Sequence, residues 1–178
     1  MRTMSEYPEG IEVIDDYLPT HIFAALQQFI CWNIEFPFWL RDRVNSEPME
    51  DEVNNWYGIH MLYQNDVPTS HAFNQIYPQF IQYLKDDDRL NVLIRAKANF
   101  YGNTAEIVEH QVHTDYKFSH TAAILSLNTC DGFTRIGDTK VESIQNRIVF
   151  FDGSTPHNSS SCTNAKGRYN IALNYFAK

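Results

Sequence analysis

The sequence predicts an α+β, mainly β domain: a β-sandwich or jelly roll with helices packed on one outer face. Three observations lead there. Helical periodicity is confined to the N-terminal 89 residues, and from Leu90 onward short strand-like runs alternate with turn pairs. The third is aromatic content: 12 Phe, 10 Tyr and 3 Trp in 178 residues suit pleated, half-buried surfaces. No repeat, low-complexity tract or linker divides the chain. Residues 1–178 are therefore read as one domain, with 1–89 a helix-bearing support and 90–178 the jelly-roll core.

IEVIDDYL, from Ile11, reads as a first strand. After Pro19-Thr20, apolar residues at Ile22, Phe23, Leu26, Phe29 and Ile30 recur at the spacing of one helix face. A second helix is predicted from Ser70 to Lys85, with Phe73, Ile76, Tyr77, Phe80, Ile81 and Leu84 inward. Pro78 within it predicts a kink or break. FPFWLRDRV and WYGIHMLYQND read as strands, and SEPMEDEV between them as an acidic loop. LNVLIRAKANFY, HTAAILSLNT, RIVFFDG and RYNIALNYF read as the later strands, parted by Tyr101-Gly102-Asn103, Asp131-Gly132 and Asp152-Gly153.

Two strands have contrasting faces. Val92, Ile94, Ala96, Ala98 and Phe100 share one face of the first, opposite Arg95, Lys97, Asn99 and Tyr101. In the last, Tyr169, Ile171, Leu173 and Tyr175 lie opposite Arg168, Asn170, Ala172 and Asn174. Such polar faces look either at water or into a ligand cavity.

The formal net charge of −8 repels phosphate, so nucleic-acid binding is disfavoured. Cys31, Cys130 and Cys162 form no even set and no CxxC pair, which argues against a disulfide framework or a Cys-rich zinc site. The N-terminal stretch lacks an apolar leader core, and no run has membrane-spanning length. A cytoplasmic protein is expected, with no membrane partner.

The chemistry centres on His113-Thr114-Asp115. Two residues apart on a strand, both side chains face the same way and can take adjacent corners of one metal ion. One imidazole and one carboxylate are two-thirds of the facial triad of non-haem Fe(II) oxygenases. The third ligand is expected to be His157, after the apolar RIVFFDG run and the Gly and Pro of a turn. His110 and His120 compete for the role, although the three-residue offset turns His110 away from His113 on a regular strand. Arg168, 11 residues after His157 and at the head of a polar strand face, can grip a carboxylate through two parallel hydrogen bonds.

This ordered set, HxD then His then Arg, resembles the Fe(II)/2-oxoglutarate oxygenases, in particular the prolyl-hydroxylase-like branch and its compact single-domain bacterial and bacteriophage members. The resemblance spans Leu90 to Phe176 and includes RAKANFYGNT, ILSLNTCDGFT, NRIVFFDGSTPH and RYNIALNYF. It implies a double-stranded β-helix, a distorted jelly roll, whose mouth holds Fe(II) on His113, Asp115 and His157. It also implies 2-oxoglutarate and O2 as co-substrates, with Arg168 on the distal carboxylate. Tyr101 and Asn99 then become candidate co-substrate contacts, Asn170 a candidate for the co-substrate or primary-substrate wall, and Thr121 and Asn174 weaker candidates. Where many such hydroxylases carry a GGxT-like turn, this chain has Asp131-Gly132-Phe133-Thr134, a departure at the active-site rim.

The implied reaction is hydroxylation of a substrate, with a prolyl residue in a protein or peptide first among candidates and a small molecule next. A cupin-like metalloenzyme independent of 2-oxoglutarate, a non-catalytic binding module and a nucleobase-directed oxygenase are the rival readings. The segments Ser46 to Asn55 and Tyr116 to His120 are expected to choose the substrate. The sequence leaves oligomeric state open.

Overall fold

The computed structural model describes residues 7–42 and 56–178. The acidic segment SEPMEDEV, the tail of FPFWLRDRV and the substrate loop expected at Ser46 to Asn55 lie outside the described residues.

Two antiparallel sheets form the body. The larger carries β1 (Glu12–Ile14), β9 (Ile148–Asp152), β6 (Thr121–Ser126), β11 (Gly167–Ala177), β5 (Leu90–Gly102), β3 (Tyr57–Gln64) and β2 (Trp39–Arg41) in that spatial order, with β4 (Val67–Pro68) paired to β3. The smaller has the order β10 (His157–Ser159), β7 (Phe133–Ile136) and β8 (Thr139–Glu142). β7, β8 and β10 were not among the strands expected from sequence. They are short and largely polar, so their alternation is weak. The one readable sign is Gly137-Asp138 joining β7 to β8, a two-residue hairpin turn whose first position has φ +54°.

The helices cover the outer face of the larger sheet, as the apolar spacing predicts. α1 (Thr20–Ile30) buries Phe23, Leu26 and Ile30. The second helix runs from Phe73 to Asp86 in three pieces: α2 (Phe73–Ile76), a π-helical turn (Tyr77–Ile81) and α3 (Gln82–Asp86). Pro78 has no N–H to donate, and the wider turn at that point absorbs the missing bond. Phe73, Ile76, Phe80, Ile81 and Leu84 pack with Ala96, Ala98, Ile171 and Leu173 into the main core. A second, smaller cluster of Ala122, Ile136, Val141, Val149 and Phe151 joins the two sheets.

One predicted face needs correction. Val92 is half exposed, whereas Leu90 and Leu93 lie in the core. Arg95 pairs with Asn174 but Leu93 with Tyr175, so β5 carries an extra residue at Ile94. That bulge reverses the alternation of the strand's first half. From Arg95 to Tyr101 the expected faces hold. Among the described residues no helix is long and apolar enough to cross a membrane.

Candidate metal centre and its cavity

β5 and β11 pair antiparallel, and their polar faces make a ladder of rungs: Tyr101 with Arg168, Asn99 with Asn170, Lys97 with Ala172, and Arg95 with Asn174. The ladder faces the smaller sheet. Between them lies a cavity lined by Lys97, Asn99, Tyr101, Asn170, His113, Asp115 and His157, with Tyr57, Thr134, Asn158 and Ser159 completing the wall. The choice left open by the strand faces, solvent or cavity, is thus decided for the cavity.

His113, Asp115 and His157 each point a ligand atom to one place, all within 4.8 Å of one another. The triplet is not on a regular strand, contrary to expectation. His113 forms an isolated bridge to His157, each backbone N–H donating to the other's carbonyl at 2.9 Å, and the Asp115 N–H donates to the Gly153 carbonyl at 3.1 Å. These cross-bonds do the positioning that strand alternation was expected to do.

Both imidazoles are turned by backbone carbonyls. Nδ1 of His157 donates to Thr155 O at 2.8 Å, and Nδ1 of His113 to Gln111 O at 3.2 Å, which leaves each Nε2 with its lone pair for a metal. Burial, reinforced by the neighbouring His157, pushes His113 down to about 4, and burial lowers His157 as well. Both rings are therefore neutral near neutral pH, as metal ligation requires. Burial opposes the charge on Asp115, but Lys97, Arg95, His157 and the Asn174 amide outweigh it and hold the carboxyl far below its ordinary range.

A collar of side chains fixes Asp115. Arg95 Nη2 donates to Oδ1, and Asn174 Nδ2 donates to Oδ2 at 2.8 Å. Asn174 also accepts from Arg95 Nε at 3.0 Å and lies 3.0 Å from His120 Nε2, whose Nδ1 is held by Phe118 O. His120 thus supports the ligand set from behind and is not part of it. His110 is buried elsewhere, bonded to Ser159 Oγ at 2.8 Å and stacked on Tyr101. Neither competes with His157.

Arg168 is 1% exposed and has no carboxylate partner among the described residues. Its Nη2 donates to Thr134 Oγ1 at 2.6 Å, while its Nε has no partner. Burial without a counter-charge pulls its affinity for a proton down, although guanidinium stays charged. The guanidinium lies 5.4 Å from the centre of the Tyr101 ring. Two orphaned acceptors, Asn99 Oδ1 and Asn158 Oδ1, occur on residues of the cavity wall. Unmet buried polar atoms of this kind are costly: an anionic guest would satisfy the Arg168 Nε donor, whereas the two amide oxygens call for a donor. The His, Asp, His set and the unpaired Arg168 donor fit a divalent metal with a carboxylate co-ligand.

Thr121 does not belong here. Ala122 and Ile124 of β6 line the cavity, and alternation sends Thr121 to the opposite face, where it borders a surface groove of about 780 Å³ beside the N-terminal strand. Sequence reasoning missed Thr134, Arg95 and Lys97 as site residues. Arg95 and Lys97 share the alternation that places Asn99 and Tyr101, and Thr134 closes the Asp131-Gly132-Phe133-Thr134 turn already singled out. The signal was there in each case.

No family model matches the chain, and no curated protein matches it. Solved structures do. A Pseudomonas putida prolyl-4-hydroxylase is similar at TM-score 0.63 and 16% identity, over 95% of this chain and 93% of that one. The viral collagen prolyl hydroxylase of Paramecium Bursaria Chlorella virus-1, in its 2-oxoglutarate complex, gives TM-score 0.57 and 13% identity over 93% and 95%. The non-haem α-ketoglutarate-dependent epimerase SnoN of nogalamycin biosynthesis gives 0.63 and 13% over 94% and 78%. The chain has the fold of these 2-oxoglutarate/Fe(II) enzymes.

Proposed function

We propose that the protein is an Fe(II)- and 2-oxoglutarate-dependent dioxygenase, with His113, Asp115 and His157 as iron ligands and Arg168 as the anchor of the co-substrate's distal carboxylate. The observation that carries this reading is a neutral-His, Asp, neutral-His donor set on the cavity wall, with a buried arginine that has no described counter-charge bonded to Thr134 of the same wall. With iron and 2-oxoglutarate bound, O2 oxidatively decarboxylates the co-substrate to succinate and CO2 and delivers one oxygen atom to a substrate C–H bond.

The chain's own work is orientation. Thr155 and Gln111 carbonyls aim the two imidazoles, and Arg95 with Asn174 clamps the carboxylate. Thr134 and the Tyr101 ring hold the guanidinium fork in place for a carboxylate. Tyr101, kept protonated by burial, can donate its hydroxyl hydrogen to the guest, and Asn99 and Asn170, bonded to each other at 2.8 Å, form the wall beside it. A cupin-like activity independent of 2-oxoglutarate would leave buried Arg168 without a purpose.

For the primary substrate, a prolyl residue in a protein or peptide is supported by the prolyl hydroxylases among the structural neighbours, and a small molecule by the presence of SnoN beside them. His113→Ala or His157→Ala is expected to abolish iron-dependent succinate formation. Wild-type turnover in either variant would remove that residue from the ligand set.

A further inference from the structure

Among the described residues in the cavity wall, bonded to its ligand set or bonded to its wall from behind, the cations are Arg95, Lys97 and Arg168, and, Glu109 apart, the anion is Asp115. Glu109 reaches Asn158 at 3.4 Å from outside but is already matched by Arg135 and Lys140. Arg95 is committed to Asp115 and Asn174, and Arg168 to Thr134 and, on the reading above, the distal carboxylate. Lys97 has no such commitment. It lines the cavity, its charge acts on His113, Asp115 and His157, and among the described residues it has no hydrogen bond and no ion pair. Lys97 is half-buried, and an ammonium that faces a cavity without a partner gains a charge-assisted hydrogen bond when an anion docks.

We propose that Lys97 is a second anion-binding group of this cavity and that it receives a carboxylate of the primary substrate. The inference rests on the oxygenase reading. Charge separates this carboxylate from those of 2-oxoglutarate. The two positive charges of Fe(II) match the two negative charges of 2-oxoglutarate, so the cavity still carries Arg95, Lys97 and Arg168 against Asp115. A substrate carboxylate reduces that surplus. A free amino acid supplies one beside its reacting carbons, whereas an internal peptide residue has only an amide there.

The test is an anaerobic titration of the Fe(II)- and 2-oxoglutarate-loaded protein with the common amino acids and with their carboxamides, read as a shift of the visible absorption band. At least one carboxylate is expected to bind about tenfold tighter than its own amide, as a charge-assisted hydrogen bond provides. Lys97→Met is expected to erase that preference with the 2-oxoglutarate affinity within about twofold of wild type, and Lys97→Arg to keep it. No carboxylate preference anywhere in the panel, or a preference that survives in Lys97→Met, overturns the proposal. A tenfold loss of 2-oxoglutarate affinity in Lys97→Met, whatever happens to the preference, assigns the ammonium to the co-substrate and also overturns it. Absence of the band before any amino acid is added defeats the oxygenase reading itself, a failure distinct from the others.

Discussion

Arg168 is only 1% exposed, and yet it keeps a charge that no described carboxylate balances. A buried unpaired charge is tolerated where function needs it, and planar guanidinium geometry matters more here than charge alone. Arg168→Lys retains the charge but loses the two-pronged grip and the short bond to Thr134. The half-saturating 2-oxoglutarate concentration is expected to rise about tenfold or more in steady-state succinate assays, with iron affinity little changed. An unchanged requirement would remove Arg168 from the anchoring role. At this scale the sequence was largely legible. HxD, His and Arg occur in a telling order, and the structure brings the ligand atoms of His113, Asp115 and His157 within 4.8 Å of one another, with Arg168 behind the cavity wall on Thr134. Thr121 was misplaced by one step of strand alternation. Alternation put Arg95 and Asn174 on the polar faces, but the bonds that join them with His120 into a collar around Asp115 could not be read, because they link residues as far apart as 79 positions.

Between residue and molecule, the turn before β7 shows how backbone shape makes room for the Arg168 stem. A Cβ built on Gly132 would lie 2.5 Å from the Ser161 carbonyl oxygen and 2.9 Å from Arg168 Cδ. No side chain fits, which explains the glycine in Asp131-Gly132-Phe133-Thr134 without any appeal to unusual φ. Gly132→Ala is expected to displace the arginine stem and raise the 2-oxoglutarate requirement roughly five- to tenfold, since overpacking costs about 1 kcal/mol or more. A co-substrate titration of the variant checks this, and wild-type affinity would mean the stem can yield. The strong apolar elements were readable: α1, the Phe73-to-Asp86 helix with its break at Pro78, and β3, β5, β6, β9 and β11. The three strands of the smaller sheet were not. Short, polar strands carry too little period-two signal, and their pairing is fixed by the larger sheet they face.

The whole molecule places its polar ladder inside and its helices outside, and this sets its response to acid. His110 and His113 are both pushed down to about 4, mainly by burial, so the folded state holds neutral rings that the unfolded chain protonates near 6.5. The depressed folded values mean this stability is fully present above about pH 6.5 and is lost as pH falls toward about 4, by up to about 1.4 kcal/mol per pH unit for each ring. Urea denaturation of the metal-free protein across that window is expected to show the loss, and His110→Gln to reduce its slope. A flat profile would contradict the burial argument. On the proposed reading, His113, Asp115 and His157 hold Fe(II) and Arg168, behind Thr134 of the same cavity wall, anchors 2-oxoglutarate. An anaerobic visible absorption titration of the metal-free protein with Fe(II) and then 2-oxoglutarate tests this. A charge-transfer band that needs both additions and is lost in His113→Ala is expected, whereas no band with both present rules the reading out.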